Sequence, residues 1–93
     1  MREKEIEQRL TKEIKRIGGI CPKFVSPGFA GMPDRIVLMP EGMVCFAELK
    51  APGEVMRPLQ MKRKKQLEAL GFRVYCIDSM DSIREAIDEI QRT

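Results

Sequence analysis

Ninety-three residues carry 43% hydrophobic and 33% charged side chains, enough apolar material for one small core and too much for a disordered chain. No apolar run approaches the roughly 20 residues of a membrane span, and the opening Met1-Arg2-Glu3-Lys4-Glu5 has no apolar leader segment behind it, so membrane and secreted classes are not expected. Seventeen Lys and Arg against fourteen Asp and Glu leave a net charge of +3, too mild to announce a polyanionic partner unless the cations are clustered.

The spacing of Ile6, Leu10, Ile14 and Ile17 predicts an amphipathic helix from Arg2 to Ile17, stopped by Gly18-Gly19. Ile20 to Val25 has strand-like content, and Ser26 to Pro33, with two glycines and two prolines, reads as a loop. Arg35 to Met39 and Met43 to Leu49 are apolar runs separated by the turn residues Pro40-Glu41-Gly42, a predicted hairpin whose second strand is apolar enough to be central. Pro58 opens a second helix through Leu70, read as amphipathic and basic and closed by Gly71. Phe72 to Ile77 is a further strand. A last helix, Ser79 to Gln91, turns Ile83, Ala86, Ile87 and Ile90 inward, with Ser82 and Glu85 at capping-box spacing. The expected fold is α/β: a single domain spanning residues 1–93, with a mixed sheet flanked by helices in the order α-β-β-β-α-β-α.

With no histidine, the chain has neither a His-assisted nucleophile nor a histidine-containing zinc site, and Cys21, Cys45 and Cys76 read as reduced, buried small hydrophobes. Catalysis therefore falls to carboxylates, lysine and a hard metal ion. Asp34 opens the first hairpin strand, while Glu48 and Lys50, on one face by strand alternation, close the second. Two converging carboxylates repel, and either a proton or a divalent cation relieves the repulsion; oxygen-only ligands suit Mg²⁺ or Mn²⁺. A lysine beside them is placed to act on a water attacking phosphorus.

Gly18-Gly19, Ser26-Pro27-Gly28, Gly31-x-Pro33-Asp34-Arg35, Glu48-Leu49-Lys50-Ala51-Pro52-Gly53 and Pro58-Leu59-Gln60, in this order from the first helix through Ile77, resemble the VRR-NUC domain, a virus-type branch of the PD-(D/E)xK nuclease superfamily that is similar to archaeal Holliday-junction resolvases. The resemblance implies a restriction-endonuclease-like core. It implies Asp34 and Glu48 as metal ligands with the Leu49 backbone carbonyl, Lys50 as the catalytic lysine, and Gln60 as the glutamine on the following helix. The resolvase pattern adds an acidic residue from the first helix; Glu3 and Glu7 are the candidates, and Glu7, at the edge of the apolar stripe, is favoured. Gln60, seven residues before Leu67, either hydrogen-bonds to the site or a phosphate, or caps the helix start.

Arg57, Lys62, Arg63, Lys64 and Lys65 form a cationic stretch suited to a phosphate backbone, though a merely solvated helix face has the same composition. Ser26 and Gly28 supply a hydroxyl and a close backbone approach. With no Trp and one Tyr, stacking on single-stranded bases is poorly supplied, so branched or duplex DNA is the expected partner. The expectation is a Mg²⁺- or Mn²⁺-dependent endodeoxyribonuclease with no small-molecule cofactor. One site per chain and two cuts per four-way junction predict a homodimer, and by family resemblance the setting is the cytoplasm of a bacterial or phage-infected cell. Phe24, Val25, Phe29 and Met32 either pack the dimer interface or complete the monomer core. The rival readings are a non-catalytic DNA-binding module and a general flap or duplex nuclease.

Overall fold

The computed structural model describes residues 1–92. Helix α1 (Glu3–Arg16) leads to the β1 (Arg35–Leu38) and β2 (Val44–Leu49) hairpin, joined by a single 3₁₀ turn at Pro40–Gly42. Helix α2 (Pro58–Ala69), strand β3 (Arg73–Ile77) and helix α3 (Met80–Arg92) follow. The sheet runs β1-β2-β3, antiparallel between β1 and β2 and parallel between β2 and β3, so β2 is central and α2 is the crossover the parallel pair requires. This is the mixed sheet flanked by helices that the sequence predicts.

Alternation along β2 divides the core into two. Cys45, Ala47 and Leu49 share one buried cluster with Ile6, Leu10 and Ile14 of α1 and Ile83, Ala86, Ile87 and Ile90 of α3. Phe46 faces the other way, toward Leu67 of α2 and Val74 of β3, and its ring meets Phe24 and Phe72 edge-on with centroids 5.7 Å from each. Glu48 and Lys50 have the parity of Phe46, so the same pleat that buries the α1/α3 core aims both groups at the α2 side.

Four local expectations change. The segment Ile20 to Val25 is extended but makes only two isolated bridges to β1, Ile20 with Leu38 and Lys23 with Arg35, because Pro22 has no N–H to donate and contributes only its carbonyl, to Ile36. It occupies the place of the first predicted strand as a rudimentary edge. Helix α2 lacks the amphipathic stripe: Leu67 is its one buried residue, and Leu59, Met61 and the flanking Leu70 are exposed. The start of α3 is capped by a reciprocal Ser79 and Ser82 pair, in which Ser79 Oγ accepts the Ser82 N–H at 3.1 Å and Ser82 Oγ accepts the Ser79 N–H at 3.0 Å, so Glu85 plays no part in it. Cys21 and Cys45 are buried as expected and their thiols are pushed up to about 11, chiefly by burial, whereas Cys76 is half-buried; all three are free thiols.

Candidate active site

The antiparallel register sets Arg35 opposite Ala47 and thereby brings Asp34 beside Glu48 at the open end of the hairpin. Asp34 Oδ2 accepts the Leu49 backbone N–H at 2.9 Å, which fixes this carboxylate against β2. Lys50 continues the strand, its N–H donating to the Ile77 carbonyl at 2.9 Å, and its side chain stays largely covered. These three groups open into a cleft of about 240 Å³. Leu49 and Gln60 line it as well, and so do Glu3, Glu54, Val55 and Arg57.

Glu48 is 1% exposed and its Oε2 has no hydrogen-bond partner among the described residues. Burial, then the hydrogen bond and charge of Asp34, push the Glu48 carboxyl up to about 8, against the opposing pull of Lys50 and Arg57. A carboxylate oxygen buried without a donor is costly unless a proton or a cation meets it. The donor set fits a hard divalent cation, which would be held by Asp34, Glu48 and the Leu49 carbonyl. Among the described residues no three Asp, Glu, Cys or His side chains cluster tightly enough to form an all-protein cage.

Two predicted members of the site are placed differently. Glu7 is turned to Arg35, its Oε2 lying 3.1 Å from Nη2 and 3.3 Å from Nε, and the same guanidinium donates through Nη1 to the Cys21 carbonyl at 2.7 Å. Glu7 is thus occupied in tying α1 to β1, while Glu3, one turn earlier on α1, lines the cleft. A residue at the edge of an apolar stripe meets whichever neighbour the packing supplies, and here that neighbour is a cation. Gln60 caps α2, its Oε1 accepting the Arg57 N–H at 2.9 Å as the capping reading expects, and it also lines the cleft.

The cationic stretch divides as well. Arg57 lies at the cleft, and Lys62 and Lys65 flank a shallow apolar groove with Pro58 and Met61 on the exposed side of α2. Lys64 is half-buried, near Cys76. Arg63 instead faces the loop before Asp34, its guanidinium 3.7 Å above the Phe29 ring and its Nε donating to the Ala30 carbonyl at 2.8 Å. Within that loop, Ser26 is half-buried and Gly28, at φ 78°, stands in open space. Phe24 and Met32 complete the core cluster around Phe46, whereas Val25 and Phe29 remain exposed. Glu54 and Val55 were not anticipated as cleft residues. The signal for Glu54 was its position three residues after Ala51, whose N–H its Oε1 accepts at 3.0 Å; nothing in the sequence marks Val55.

The chain is 49% identical over 81 residues to "Putative nuclease p44" of Acyrthosiphon pisum secondary endosymbiont phage 1, covering 87% of both proteins. It also superposes on a solved VRR_NUC domain with a TM-score of 0.86, at 23% identity, over 92% of this chain and 94% of that one. The chain belongs to the VRR-NUC family. No family model matches the sequence. In this VRR-NUC chain the acidic pair sits on the central hairpin and helix α2 packs through Leu67 on the Phe46 side of the sheet, with Arg57, just before its first turn, lining the cleft.

Proposed function

We propose that this chain is a Mg²⁺- or Mn²⁺-dependent endodeoxyribonuclease that hydrolyses phosphodiester bonds in structured DNA, acting as a homodimer on four-way junctions. The observation that carries the reading is the buried, donor-less Glu48 Oε2 beside Asp34, with Lys50 two residues further along the strand in the same cleft. A nuclease named among its relatives and a fold shared with a VRR_NUC domain support it.

Asp34 and Glu48 would hold the cation with the Leu49 carbonyl. When bound, it supplies positive charge to the phosphoryl oxygens and acidifies water. Lys50 places an ammonium group at the attacking water and at the charge that develops on phosphorus. Arg57, together with the Lys62, Lys64 and Lys65 side chains of α2, meets phosphates flanking the cut, and Gln60 offers its amide to one of them. The backbone at Gly28 and the Ser26 hydroxyl, on the loop that packs against α2, add further contacts to the strand. A junction needs two symmetric cuts and one chain carries one site, so a two-fold dimer supplies the second.

Incubating the protein with hairpin, flap, linear duplex and four-way junction substrates, with and without Mn²⁺, tests this. Metal-dependent cleavage that favours the junction is expected. Binding with no cleavage would reduce the protein to a DNA-binding module, and equal cleavage of duplex and junction would make it a general nuclease. Light scattering at micromolar concentration should give twice the 10.7 kDa chain mass; the monomer mass would refute the dimer.

A further inference from the structure

We propose that Arg63 is a positioning residue: it clamps the loop that delivers Asp34 onto the helix that carries Gln60, and so sets the two sides of the cleft relative to each other. Its kinetic arm rests on the nuclease reading above, and its structural arm does not.

The Ser26–Pro33 loop is fastened at both ends of its excursion. At its base the Phe24 N–H donates to the Asp34 carbonyl at 2.8 Å, and Pro33 is buried. At its tip the fastening is Arg63. The guanidinium stacks on Phe29 at 3.7 Å, donates from Nε to the Ala30 carbonyl at 2.8 Å and donates from Nη1 to Gln66 Oε1 at 2.9 Å. Three directed contacts from one planar group leave it poorly disposed to follow a mobile phosphate. Immediately beyond, Gly31 adopts φ 88°, and a Cβ there would fall 2.7 Å from Leu59 Cγ and 3.0 Å from the Leu59 carbonyl oxygen. The loop backbone therefore rests directly on the first turn of α2, one residue from Gln60. Two elements that each contribute to the cleft, the approach to Asp34 and the start of α2, are joined here and are otherwise separate in sequence.

Lysine separates this role from phosphate binding. It keeps the charge but cannot stack and donate in two fixed directions at once. Positioning predicts that R63A and R63K both lower kcat by about tenfold or more, the scale on which small misplacements of reacting groups act, with KM for DNA and the salt dependence of binding unchanged. A phosphate contact predicts the reverse: R63K close to wild type, and R63A lowering the salt slope by about 1. The second readout needs no activity. Amide exchange at Phe24 and at position 29, whose N–H groups donate to the Asp34 and Ser26 carbonyls, should accelerate in both variants and in F29L. Should R63A fail to fold, R63K carries the same comparison. Unaltered exchange at those two amides in R63K would overturn the clamp, as would an R63K enzyme of wild-type kcat. A wild-type protein that does not cleave DNA would sink the nuclease reading and leave the clamp to be judged by exchange alone.

Discussion

Asp34 and Leu49 are joined across the open end of the β1–β2 hairpin, with Oδ2 of the first accepting the backbone N–H of the second at 2.9 Å. The carboxylate is held by the strand that presents Glu48, so the two acidic groups are positioned by one rigid unit. Asp34→Asn retains an acceptor for Leu49 while losing the charge, and Glu48→Ala removes the buried partner. Each should lower metal-dependent cleavage at least about a hundredfold with an unchanged circular dichroism spectrum, because losing a ligand charge weakens a hard-cation site directly. Retention of more than a few per cent of activity in both would remove the pair from the chemistry.

Glu48 also predicts a pH dependence of stability in the metal-free protein. In the folded chain it keeps its proton to about pH 8, while in the unfolded chain it loses it near 4.5. The folded state is therefore favoured most below pH 4.5, and this contribution is lost as pH rises toward 8. Denaturation in EDTA should show wild type losing stability relative to Glu48→Gln over that interval, and Mn²⁺ should restore it at the upper end. Parallel pH profiles for the two proteins would contradict the assignment.

Lys50→Ala should slow the chemical step while leaving Mn²⁺ affinity nearly intact, since the ammonium acts on the water and the transition-state charge. Single-turnover cleavage and isothermal titration separate the two effects. Loss of Mn²⁺ binding in this variant would contradict the assigned role.

Glu3 and Glu7 should part company. Glu7→Gln breaks a partly buried pair with Arg35 and should cost about 1–3 kcal/mol of stability with cleavage per folded molecule preserved. Glu3→Gln, at an exposed helix start, should leave the midpoint of chemical denaturation unmoved and reduce cleavage, because it lines the cleft. The opposite pattern would return Glu7 to the site.

Along α2, replacing the exposed Lys62 and Lys65 and the half-buried Lys64 together by Gln should weaken DNA binding and flatten its salt dependence, by about one unit of slope for each phosphate that is no longer neutralised. Filter binding across a salt series reads the slope directly, and an unchanged slope would take α2 out of the footprint.

Much of this was legible in the sequence because periodicity reports burial. The Ile6, Leu10 and Ile14 stripe and the Ile83 to Ile90 stripe are the two helix faces that cover the sheet, and alternation in β2 put Glu48 and Lys50 together. What the sequence did not disclose depends on pairings between distant segments. Pro22 interrupts a ladder that composition alone would continue. The partner of Glu7 is a residue on another element, as is that of Arg63, and no spacing along either helix records them. Helix α2 read as amphipathic because its cations are conspicuous, yet it rests on the sheet through Leu67 and leaves most of its apolar side chains in solvent.

The order in which the two ladders can close follows from their connections. β1 meets β2 through one short turn, with Glu41 in the left-handed region at φ 67° ahead of Gly42, whereas Cys45 can meet Arg73 only after the whole of α2 has been laid down between them. Closing the nearer ladder costs less chain entropy, so during folding the hairpin brings Asp34 and Glu48 together before the crossover covers them. The electrostatic conflict at the heart of the site is thus met on the way to the native state.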